Sequence, residues 1–142
     1  MDQFPFTAAE WKAVSDAGLQ IANATFMDDS VLHASRLNDL LDVLSELREK
    51  YGDHPILLET EADFIHDDDH EQIALYRRAV SIAETHQLET LSIRIALARV
   101  LIETGGRAVA LQELLACEAE LPDADDGETR DWYELKAAAE TS

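Results

Sequence analysis

The sequence predicts an all-α protein of about seven helices arranged as stacked antiparallel hairpins. Three observations predict it. Apolar residues recur at helical spacing along nearly the whole chain, while β-branched runs and period-2 alternation are scarce. The 5 Gly and 3 Pro fall mostly where those helical patterns stop, so the connections are short. The composition is 46% hydrophobic, enough for a sizeable core and too much for a disordered acidic chain. The expected organisation is a single helical domain over residues 1–142. It comprises an N-terminal hairpin (1–52), two further hairpins (53–122), and an acidic loop with a closing helix (123–142).

The first helix is predicted from Thr7 to about Phe26. Thr7 and Glu10 have the spacing of a capping box, in which the hydroxyl accepts from the Glu10 amide and the carboxylate reaches back. Phe6, just before the cap, is placed to staple onto Trp11. Trp11, Val14, Gly18, Ile21, Ala22 and Thr25 share one face. Asp29 or Ser30 caps the second helix, Val31 to Tyr51, whose stripe is Leu37, Leu40, Leu41, Leu44, Leu47 and Tyr51. A leucine stripe of this kind is core or a dimer seam. Gly52 ends the helix, and Pro55 suits the first turn of the third, which runs to about Ile65. The fourth begins near Asp69 behind a second capping box, Asp68 to Glu71, and carries Ile73, Tyr76, Ala79, Val80 and Ala83.

The fifth and sixth helices form the best-defined unit, Leu91 to Pro122. From Leu91 to Glu103 the apolar positions cover almost the whole circumference, which predicts burial on most sides. Only Ser92, Arg94, Arg99 and Glu103 offer polar surface, and Thr90 is the expected cap. Gly105-Gly106 makes the turn. The sixth helix is expected from Ala108 to Glu120, stopped by Pro122. A last helix from about Thr129 places Trp132 over the preceding apolar face, and the tail from Ala137 is expected to fray.

These residues resemble the tetratricopeptide repeat. Counting from Leu91, the residues Leu97, Ala98, Leu101, Gly105, Ala110, Leu111, Leu114, Cys117 and Pro122 occupy the repeat's alternating large, small, glycine and proline positions. Arg94 replaces the usual tryptophan, and Leu114 the usual aromatic of the second helix. The segment 55–84 echoes the pattern more weakly: Tyr76 to Leu114 and Ala79 to Cys117 share a 38-residue spacing, as stacked hairpins would give. The resemblance implies a tetratricopeptide-like α-solenoid with a C-terminal capping helix. It also implies a concave face, lined by the first helix of each hairpin, that binds a protein or peptide. Carried over residue by residue, that face holds Ser92, Ile95, Arg99, Ile102 and Glu103 of the fifth helix with Glu59, Asp63 and His66 of the third. Repeats that clamp a carboxylate place several lysines and asparagines there. Here Arg99 stands nearly alone among acids, or pairs with Glu103 one turn on, so the partner expected is basic or mixed.

The chain carries 30 acids against 11 bases, a net charge of −19, spread along its length. Such a field repels nucleic acid and anionic membranes and attracts cations. It also serves solubility or adaptation to salt, and only three of the bases (Lys12, Lys50, Lys136) are lysines. Cys117 is the only cysteine, which excludes an internal disulfide and a paired-cysteine zinc site. The N-terminal MDQFPF lacks the basic and apolar runs of a signal peptide, so the expected setting is cytoplasmic.

No nucleophile–base pair, P-loop or dinucleotide-binding fingerprint is present, and no catalytic residues or cofactors are expected. The sharpest metal candidate is His66, Asp67 and His70 within the run HDDDH. The run should cross a helix end and a helix start, where its aspartates already serve as caps. The acidic stretch from Asp123 to Glu128 departs from calcium-loop spacing, since Gly127 comes one place too early. The sequence therefore points to a non-enzymatic interaction module, monomeric or weakly homodimeric. Its alternative is an acidic inhibitor or immunity-type protein that masks a basic enzyme or toxin surface.

Overall fold

The computed structural model of the chain describes residues 1–65 and 67–141. They form α1 (Ala8–Phe26), α2 (Ser30–Tyr51), α3 (Pro55–Asp63), α4 (Asp69–Thr85), α5 (Leu91–Glu103), α6 (Arg107–Ala116), a 3₁₀ helix (Glu118–Asp123) and α7 (Asp126–Glu140). No strand occurs among the described residues, so the chain is all-α. It divides into two compact units, Met1–Leu57 and Leu58–Ser142.

In the first unit, α1 packs on α2 across a short turn. The Thr7 hydroxyl accepts from the Glu10 amide at 3.1 Å, and the Thr7 amide donates to Glu10 Oε1 at 2.8 Å, so the capping box is complete. Glu10 has two further donors from α2: Lys50 Nζ at 2.8 Å and the Tyr51 hydroxyl. These donors pull its carboxyl down to about 2, led by the Lys50 hydrogen bond. Phe6 stacks on Trp11 with ring centres 5.4 Å apart, and meets Tyr51 and His54 edge-on. His54 is buried; its Nδ1 accepts from the Ile56 amide at 3.2 Å, which places the ring proton on Nε2, 2.8 Å from the Asp2 carbonyl. Val14, Ile21 and Ala24 of α1 and Leu40, Leu44 and Leu47 of α2 are buried. Ala22 and Thr25, expected on the inner face, are exposed. Ala24 takes the interior position instead, fully enclosed. Asp29 is the α2 cap, and Gly52 closes α2 at φ +76°.

The second unit is built on α5, which packs against α4, α6 and α7. Leu91, Ile93, Ile95, Leu97, Ala98, Val100 and Leu101 are all buried, as a helix apolar all round requires. Ala110, Leu114 and Cys117 close on it from the α6 side with no exposed surface. Burial raises the Cys117 thiol to about 11, so it stays a thiol. α7 packs on both α5 and α6; Trp132 is buried, and its indole N–H donates to the Leu114 carbonyl at 2.8 Å. Arg94, where a repeat would carry tryptophan, lies between three helices. Its guanidinium donates to Glu113 of α6 at 3.1 Å, to Thr90 at 2.9 Å and to Glu84 of α4.

Several helix limits differ from the sequence reading. α3 stops at Asp63, two residues before Ile65. α6 ends at Ala116 rather than Glu120, and the chain continues as a 3₁₀ helix that contains Pro122. The bonds of this stretch run from the Glu120 amide to the Cys117 carbonyl at 3.0 Å and from the Ala124 amide to the Leu121 carbonyl at 3.0 Å, and neither draws on the proline nitrogen. α7 starts at Asp126, capped by Asp125, and continues to Glu140 rather than fraying from Ala137. Thr90 does cap α5, but its side chain makes no cap hydrogen bond. Glu120 does that work from a distance, accepting from the Thr90 amide at 2.8 Å, the Leu91 amide at 3.1 Å and the Thr90 hydroxyl at 2.6 Å.

Two outcomes are expected from this packing. Trp132→Ala removes a large buried ring and leaves the Leu114 carbonyl without its indole donor; it should cost about 3–5 kcal/mol in urea unfolding followed by circular dichroism. Glu10→Gln should lower the thermal midpoint of the first unit at neutral pH, read through Trp11 fluorescence. The Glu10 carboxyl is depressed in the folded state, so its contribution is full above the ordinary carboxylate range and fades as pH falls toward about 2. The gap between wild type and variant should close over that acid range.

Candidate functional site

On α5 the strip not covered by neighbouring helices carries Ser92, Arg99 and Glu103, all exposed. This strip forms one wall of a cleft of about 530 Å³ in the second unit. Glu59 and Asp63, one turn apart near the end of α3, form another wall, and Asp69, Gln72 and Tyr76 of α4 a third. Ile95, Ala96 and Val100 give the cleft an apolar floor. Among the described residues, four carboxylates and one cation, Arg99, therefore line this cavity.

Two contacts tie α3 to α4 and hold the walls apart. Gln72 is buried, and its amide donates to the Ala62 carbonyl at 3.0 Å. The Tyr76 hydroxyl donates to Asp63 Oδ1. Burial and the Asp63 charge push the Tyr76 phenol upward, so it remains a donor at any physiological pH. Arg99 turns toward α7, where its Nη2 lies 3.7 Å from Asp131 Oδ2.

Glu59 is the electrostatic centre of the cleft. It is half-buried, and its carboxylate accepts a hydrogen bond from the Ser92 hydroxyl. Desolvation raises its carboxyl to about 7, and the Asp63 and Glu128 charges add to the rise. The Ser92 hydrogen bond opposes this without cancelling it. Glu59 therefore gains or loses a proton near neutrality, unlike an ordinary surface glutamate.

Six of the residues that the resemblance puts on a partner-binding face, Glu59, Asp63, Ser92, Ile95, Arg99 and Glu103, line this one cleft. Ile95 lies in the floor and is buried, so it is a packing residue more than a contact surface. Ile102 does not line the cleft; it packs against the core. His66 lies outside the described residues. So does the metal candidate that depends on it; its other members, Asp67 and His70, are exposed. Among the described residues no three His, Cys, Asp or Glu side chains gather closely enough to hold a metal ion, and no helix is long and apolar enough to cross a membrane. The sequence reading left out Asp69, Gln72 and Tyr76 as lining residues. Gln72 had a signal: it sits in register with Tyr76, Ala79 and Ala83 on the buried face of α4, where a polar side chain needs a partner.

Glu59→Gln should test this electrostatic picture without changing shape. A carboxyl raised in the folded state costs stability once it ionises, so the penalty appears as pH climbs from the ordinary carboxylate range through about 7. The variant should match wild type near pH 5 and exceed it by roughly 2 kcal/mol near pH 8. Urea unfolding read by Trp132 fluorescence, in a Trp11→Phe background, measures the difference.

No family model, no curated protein and no solved structure matches the chain.

Proposed function

We propose that the chain is a non-enzymatic, tetratricopeptide-like interaction module whose second unit engages a protein or peptide along the cleft of α3, α4 and α5. The observation that carries this reading is the composition of that cleft. Among the described residues, acidic groups from three helices and one arginine converge over an apolar floor. The pattern of large and small residues from Leu91 to Pro122 supports the repeat-like part of the reading. Leu97, Ala98, Ala110, Leu114 and Cys117 have no exposed surface, as residues at a tight helix–helix contact should. A lone, fully buried cysteine goes with a cytoplasmic setting. The partner that suits the cleft is basic or of mixed charge.

The net charge of −19 supports a second reading, an acidic inhibitor that covers a basic enzyme or toxin surface. Salt separates the two. Affinity capture from the native cell, followed by cross-linking and mass spectrometry, should return a partner cross-linked to α3 and α5. That complex should survive high salt and be lost, by tenfold or more in affinity, with Arg99→Glu. Cross-links scattered over the acidic surface, with a complex that collapses in salt and ignores Arg99→Glu, would establish the inhibitor instead.

A further inference from the structure

The cleft has a chemical asymmetry that selects its occupant. Its floor is aliphatic, made by Ile95, Ala96 and Val100, while its α3 wall presents Glu59 and Asp63. Glu59 is half-buried and accepts a hydrogen bond from a neutral hydroxyl, that of Ser92. The charged and titratable groups around it are Asp63 on its own helix, Asp69 and Tyr76 on α4, Arg99 and Glu103 on α5, and Glu128 on α7. All of the carboxylates among them repel a negative Glu59. The cation among the described lining residues, Arg99, is directed to Asp131. A desolvated carboxylate among like charges is stabilised most by a cation brought from outside.

We propose that the cleft receives one arginine or lysine side chain of the partner, its methylene stem lying on Ile95, Ala96 and Val100 and its cationic head on Glu59 and Asp63. The inference rests on reading the α3–α5 face as a binding surface, and it names what that surface holds. Long basic side chains suit such a site because their stems are apolar and their heads are not. A guanidinium presents several donors to two carboxylates one helical turn apart, whereas a free anion or an acidic peptide is repelled by them. The volume, about 530 Å³, holds such a side chain with its backbone at the mouth. Capture also expels the proton that Glu59 carries below neutrality, so binding is coupled to pH.

The test is a titration of the ¹⁵N-labelled full chain with the blocked tripeptide acetyl-Gly-Arg-Gly-amide, observed by two-dimensional NMR. Shifts should be confined to the Gln72 side-chain amide and to the backbone amides of 59–63 and 92–103. The citrulline tripeptide, equal in shape and neutral, should produce none. The apparent affinity should fall about tenfold between pH 8 and pH 6, as Glu59 takes up its proton. Glu59→Gln should lose both the binding and the pH slope. An equal response to citrulline, shifts spread over acids throughout the chain, or unchanged binding by Glu59→Gln would each overturn the proposal. Free agmatine that binds as tightly as the tripeptide would overturn the assignment to a partner side chain. The arginine–citrulline comparison uses wild type only, so it decides even if the variant folds poorly. If the tripeptide fails while Arg99→Glu still releases the captured partner, the interaction surface stands and only the cation pocket falls.

Discussion

α5 has almost no polar surface to give to water, and the second unit is arranged around that constraint. Seven of its thirteen residues are buried, spread around the helix rather than along a stripe. A helix of that kind cannot lie on a surface; it needs neighbours on several sides, and α4, α6 and α7 supply them. Fully burying a leucine or isoleucine side chain contributes about 1.5–3 kcal/mol. The enclosure of α5 therefore outweighs any single polar contact in the unit. Those polar contacts act on geometry instead. Arg94 fixes how α4 and α6 meet α5 through Glu84 and Glu113, and Glu120 fixes where α5 begins. Both arrangements are half-buried, where a charge left without its partner is costly, so they set register more than they add stability.

The cleft follows from the same constraint. Only one strip of α5 escapes burial, and the three polar residues Ser92, Arg99 and Glu103 occupy it. Gln72 and Tyr76, anchored to the end of α3, keep Glu59 and Asp63 facing that strip. Half-burial then changes the chemistry of Glu59. An exposed carboxylate among acids is screened by water and salt, whereas one deprived of solvent holds its proton into the neutral range. A cavity, a desolvated carboxylate and an apolar floor thus arise together from how α3, α4 and α5 meet.

What could be read from the sequence is what depends on near neighbours. Thr7 with Glu10, Asp68 with Glu71, and Gly52 with Gly105 are signals within a single turn, and each marks a helix end in the structure. The all-round apolar character of α5 and the small residues Ala98, Ala110 and Cys117 are likewise visible as pattern, and all are buried. What could not be read depends on distant partners. Glu120 caps α5 from thirty residues away, so Thr90 looks like its own cap in the sequence. Arg99 has an acid one turn on, Glu103, yet the carboxylate it approaches is Asp131 of α7. The acidic residues of α3 are separated from Arg99 by some forty positions, and nothing in their spacing distinguishes Glu59 from a solvated surface acid. Only the resemblance to a known repeat placed them on one face.

The difference between Glu59 and the other acids also separates two meanings of the charge. Most of the carboxylates behind the net −19 lie at the surface, where mobile ions weaken their fields beyond about 8–10 Å. Together they draw cations toward the whole molecule and speed encounter, but they cannot choose one cation over another. Glu59 is half-buried, and it and Asp63 sit beside the donors Ser92 and Tyr76, so the attraction of Glu59 is less screened and tied to a shape. Attraction from the field falls with salt and is indifferent to pH near neutrality. Attraction from the cleft persists in salt and rises with pH as Glu59 loses its proton. The opposite responses to two ordinary variables assign any cationic partner to one or the other, without knowing its identity beforehand.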